Sequence, residues 1–118
     1  MKATRFEFGN TGLFHALDLL DGCDMERNDA EDYEYAKREF ENDLDIPDIL
    51  NPKHNIKTQS FFTDLGLDAF KTPIDILCNL FIKYAENAGL GELKEITKDI
   101  TENTIIYKDD YQIIIQQN

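Results

Sequence analysis

The chain has 118 residues and 42% hydrophobic side chains, including thirteen aromatics (eight Phe, five Tyr), enough for one compact domain over 1–118 with its own core. Its net charge of −12 argues against direct binding to nucleic acid or to an anionic membrane, because both need an excess of Lys and Arg. Cys23 and Cys78 show no metal-binding or redox spacing, the N-terminus carries no apolar leader, and the longest apolar run, around "IDILCNLFI", is too short to span a bilayer; a reducing, cytoplasmic setting is expected.

Residues 3 to 8 alternate, with Thr4, Phe6 and Phe8 on one face and Arg5 and Glu7 on the other, which predicts a strand. After "GNTG", the apolar positions Leu13, Phe14, Ala16, Leu17 and Leu20 recur at helical spacing, capped by Asn10 or Thr11 and ended by Gly22. The next stretch concentrates the charge. Residues 24 to 48 hold eleven acids against Arg27, Lys37 and Arg38, so a net −8 of the total −12 lies in about a fifth of the chain. Asn28 and Glu31 form a capping-box pattern, Tyr33, Ala36, Phe40 and Leu44 make one apolar stripe, and Glu34 stands four residues before Arg38; a helix over 29–43, stopped by Pro47, is predicted.

Residues 46 to 59 read as a loop, and "SFFTDLGLDAF" as a buried helix that Gly66 weakens. "TPIDILCNLFIKYAENAG" is the clearest helix, with Thr72 as cap, Pro73 in the first turn, Gly89 at the end, and Ile74, Leu77, Leu80, Phe81, Tyr84 and Ala88 facing the core. In "LKEITKDI" the spacing of Leu93, Ile96, Thr97 and Ile100 favours a helix over a strand, and 104–108 with 111–116 form a hairpin about Asp109-Asp110. The predicted fold is α+β, with about four helices packed on a small antiparallel sheet made of the N-terminal strand and the C-terminal hairpin.

Catalytic signals are sparse. Two Cys and two His, all at least eight residues apart, do not make a zinc motif, no phosphate-binding glycine motif is present, and "GLG" at 89–91 follows a helix as a terminator. "DLDIPD" lacks the Gly and the distal Glu of a calcium loop, and Pro47-Asp48 with Glu92-Leu93-Lys94 is a nuclease-like triplet at chance frequency. No metal, no cofactor and no enzymatic activity are therefore expected.

What remains is the acidic helix, whose linear charge density approaches that of a single nucleic-acid strand. The expected partner is a basic protein, a nuclease or other nucleic-acid-binding enzyme, masked by an inhibitor or nucleic-acid mimic of the phage or mobile-element anti-defence type. An immunity protein neutralising a basic nuclease toxin uses the same physics, and an acidic interaction domain without mimicry, or a face that merely keeps the protein in solution, stands beside both. Glu31, Glu34, Glu41 and Asp45, opposite the apolar stripe, together with Tyr35 and Asp48, are the candidate partner-binding residues.

Overall fold

A computed structural model describes residues 1–117. Its organising strand is β1, Lys2–Phe8, where alternating burial puts Thr4, Phe6 and Phe8 on the helix-covered face. The other strands are β2 (Thr11–Gly12), β3 (Thr58–Phe62), β4 (Leu93–Asp99), β5 (Ile105–Lys108) and β6 (Gln112–Gln116). All pairings are antiparallel. The strand order is β2-β1-β3-β6-β5, and β4 pairs with β1 outside that path.

The α+β expectation holds, with five α-helices among the described residues in place of about four: α1 (Leu13–Asp21), α2 (Arg27–Asp43), α3 (Asp64–Ala69), α4 (Lys71–Lys83) and α5 (Ala85–Ala88). Phe6, Phe8 and Phe62 of the sheet meet Leu20, Phe40 and Phe81 of the helices in the main core. Phe8 and Phe81 pack edge to face at 4.6 Å between ring centres. A second cluster, Ala3, Phe61, Ile100, Ile113 and Ile115, is buried on the other face of the sheet. The expected burial of Phe40, Leu77, Leu80 and Phe81 is observed.

Several local expectations are corrected. Residues 93–99 are a strand, not a helix, paired residue for residue with β1 from Lys2↔Asp99 to Phe8↔Leu93. Leu93, Ile96 and Ile100 mimic helical spacing only because β4 is an edge strand whose charged residues obscure the alternation. The segment "SFF" belongs to β3, and the helix after it spans only Asp64–Ala69. There Gly66 answers a packing need, since a Cβ at this position would collide with the Tyr111 carbonyl oxygen. Thr63 caps α3 through the Gly66 amide (3.0 Å) and donates its hydroxyl to Asp110 O (2.6 Å), fastening the helix to the β5–β6 turn.

The caps predicted for α2 and α4 are not used. α2 begins at Arg27, so Asn28 lies inside the first turn and makes no cap bond; α4 begins at Lys71, directly after Phe70, so Thr72 is an exposed helical residue. Tertiary contacts set the start of α2. The Glu26 amide donates to Tyr84 Oη (3.1 Å), Tyr84 Oη donates to Asp29 Oδ2 (2.6 Å), and Lys83 Nζ reaches the same oxygen at 2.7 Å. The expected helix over 72–89 is interrupted at Tyr84, where α4 gives way to α5, and Gly89 ends α5 with a positive φ of 69°. The hairpin forms as expected. Asp109 organises its turn by accepting from the Tyr111 and Gln112 amides at 2.9 and 3.0 Å.

Both cysteines are free and half-buried, and burial pushes the Cys78 thiol up to about 11. No helix among the described residues is long and apolar enough to cross a membrane.

Candidate functional site: an acidic ridge beside an aromatic cleft

α2 has two unlike faces. Tyr33, Ala36 and Phe40 are buried, and Leu44, just past the helix, continues their line into the core. The opposite side exposes Arg27, Glu31, Glu34, Tyr35, Arg38 and Glu41, with Asp32 and Asp43 exposed on its flank, as the 100° step between helical residues requires. Of these five carboxylates, only Glu31 has a cation within 4 Å among the described residues, the Arg27 Nε at 3.4 Å. The expected Glu34–Arg38 pair is not made. Seventeen residues give α2 a length of roughly 25 Å, so the ridge is an acid-rich strip along the exposed side of the helix, interrupted by Arg27 and Arg38.

The inner face of α2 is fixed by polar contacts as well as by packing. Tyr33 Oη donates to Asp21 Oδ1 at 2.9 Å, and both burial and this bond push the phenol up. The hydrogen bond from Lys83, and then that from Tyr84, hold the Asp29 carboxyl below its ordinary range. Asp29 is thereby engaged with α4, and it belongs to the scaffold and not to the ridge.

Of the six residues singled out from the sequence, the fold groups four on the ridge: Glu31, Glu34, Tyr35 and Glu41, all exposed. Asp45 departs from the predicted alignment. The backbone at Leu44 is extended (φ −111°, ψ 122°), so the helical register ends before Asp45, whose carbonyl accepts from Gln112 Nε2 at 2.7 Å. Asp48 is separate again, at the start of a short 3-10 turn, Asp48–Leu50, where it holds His54 Nε2 at 2.9 Å and Lys53 Nζ at 3.7 Å. Its carboxylate is exposed in that loop, apart from the ridge.

The sequence reading missed a cleft of about 460 Å³ between α1, the C-terminal end of α2 and β3. It exists because the sheet opens here. Among the described residues β1 pairs with β3 at the single position Thr4↔Phe62, while Glu7 and Phe8 turn back onto β2. The guanidinium of Arg5 bridges part of the opening through Nη1 to Ser60 O at 3.1 Å; its buried Nε has no hydrogen-bond acceptor and faces Glu7 Oε1 at 3.7 Å.

One wall of the cleft is aromatic. Phe14, Phe40 and Phe62 meet in pairs with ring centres 5.5 to 6.1 Å apart. Leu44, Ile46 and Leu50 continue the apolar lining, and Ile46 is 78% exposed. Asp18, Glu41 and Asp45 also line it and are exposed, so the ridge runs into the cleft at Glu41. Its volume falls within the range of ordinary ligand pockets. A sequence signal for it was present in "DIPDIL", where Ile46, Ile49 and Leu50 are apolar residues in a segment otherwise read as a polar loop.

Among the described residues, no three His, Cys, Asp or Glu side chains converge as a metal-holding group. No protein-family model, no curated protein and no solved structure matches the chain.

Proposed function

We propose that this chain is a non-catalytic acidic binding protein whose α2 ridge masks a basic surface of a nucleic-acid-handling enzyme, in the manner of an inhibitor or nucleic-acid mimic. One observation carries the reading: four of the five exposed ridge carboxylates lack an intramolecular cation within 4 Å among the described residues, while the opposite face of the same helix supplies the packing. The exposed acids of α2 outnumber its exposed Arg27 and Arg38 five to two, and this surplus of like charge gives the fold no local benefit. A surface of complementary charge offsets that surplus and is drawn to it over a distance of about 8 Å at physiological salt. Tyr35, 43% exposed within the ridge, adds an amphipathic ring of the type common at binding hot spots.

The test begins with capture of partners from the native host or its target, followed by kinetics with the purified partner. The expected partner is basic, its association slows steeply with added salt, and nucleic acid competes with the chain for it. The variant carrying Glu31→Lys, Glu34→Lys and Glu41→Lys should fold and lose fast association. An unchanged affinity in that variant at low salt would return the ridge to the role of a solvated face.

A further inference from the structure

We propose that the cleft at the end of the ridge receives an aromatic or long aliphatic side chain flanked by Lys or Arg, presented by the same basic partner. The inference rests on the ridge reading above and adds an apolar anchor to it. The walls provided by Phe14, Phe40, Phe62 and Leu44 offer an inserted side chain an apolar surface, and Ile46 and Leu50 extend it.

Charge decides which kind of apolar group enters. Both long cationic side chains lining the cleft are already engaged: Arg5 with Ser60 O and Glu7, Lys37 with Asp21 Oδ1 at 4.0 Å. The three carboxylates Asp18, Glu41 and Asp45 have no cation within 4 Å among the described residues. An apolar group carrying negative charge would meet them unfavourably, whereas one between cations pairs with them as it enters. Association would then divide into two parts: long-range attraction along the ridge, and retention by the buried anchor, which mainly slows dissociation.

The test uses isotope-labelled full-length protein and end-blocked peptides followed by amide chemical shifts. The peptide Lys-Arg-Phe-Arg-Lys should shift resonances in Leu13–Asp18 and Phe40–Ile46. It should bind about tenfold more tightly than Lys-Arg-Gly-Arg-Lys, as burial of one aromatic side chain implies. The acidic counterpart Glu-Asp-Phe-Asp-Glu should shift nothing in the cleft. The double variant Ile46→Ser, Leu50→Ser leaves the ridge intact and should abolish the preference for Phe over Gly; Ile46→Ser alone alters a largely exposed side chain and guards against a folding defect.

Equal binding of the Phe and Gly peptides, with shifts confined to Glu31, Glu34 and Tyr35, would overturn the anchor site and leave the ridge reading standing. Undiminished binding of the Phe peptide to a Glu31→Lys, Glu34→Lys variant would instead support the cleft and count against the ridge. Binding of the acidic Phe peptide in the cleft as tightly as the basic one, or no shift with the basic Phe peptide, would overturn the proposal.

Discussion

α2 and α4 lie against each other, each with a buried stripe, yet their outer sides differ in kind. The exposed positions of α4 within Lys71–Lys83 are Lys71, Thr72, Asp75, Asn79, Ile82 and Lys83, a mixed surface with two cations and one acid. Those of α2 include five acids against Arg27 and Arg38. Because α4 is held in the fold with a nearly balanced exterior, the acidity of α2 is not what the architecture demands of a helix in this layer. The contrast separates residues that build the molecule from residues available for another purpose, and it can be attacked from either side.

The largest expected effect is on the α4 side. Phe81 is fully buried against Phe8, and Phe81→Ala should cost about 3 to 5 kcal/mol in denaturant unfolding. A loss under about 1 kcal/mol would mean that α4 does not carry the core and would remove the basis of the contrast.

A smaller loss is expected where α3 approaches the β5–β6 turn. Gly66→Ala places a methyl group against the Tyr111 carbonyl, and the strain of about 1 to 3 kcal/mol should outweigh the gain of roughly 1 kcal/mol in helix propensity. A net rise in stability would show that α3 and the turn do not pack this closely.

The seam between the two helices should respond to pH at both ends of the scale. Asp29 has a lowered pKa, so its stabilising contribution is present above its ordinary value of 3.8 and is lost as pH falls through the still lower folded value. Lys83 is raised, chiefly by its hydrogen bond to Asp29, so its contribution is present below its ordinary 10.5 and is lost as pH climbs through the higher folded value. Thermal unfolding of Lys83→Met across pH should show weaker dependence at both extremes than the parent chain. Identical profiles would dissolve the seam as an energetic feature.

The smallest expected effect on folding sharpens the contrast most. Glu31→Lys and Glu34→Lys should each change stability by no more than about 0.5 kcal/mol, and added salt should raise the melting temperature of the parent more than that of the double variant. A large loss of stability would assign the ridge to the scaffold after all.

The buried stripe of α2, the Leu77, Leu80 and Phe81 core of α4, the first strand and the C-terminal hairpin were legible in the sequence. Each depends on a short-range period of apolar residues, which the local geometry of a helix or strand converts directly into one buried face. The exposed position of Glu31, Glu34, Tyr35 and Glu41 followed from the same arithmetic. Tertiary structure decided the rest. Residues 93–99 became a strand because β1 offers a free edge 85 to 97 residues away, and no local period encodes that pairing. α2 starts at Arg27 because Tyr84 and Lys83 hold Glu26 and Asp29, which displaces a plausible Asn28 cap. The cleft depends on β1 parting from β3 after a single paired position, so that Phe14, Phe40 and Phe62, far apart in the chain, line one opening. Periodicity reports which face of an element is apolar; the neighbour that covers it, or leaves a gap beside it, is fixed only when distant segments meet.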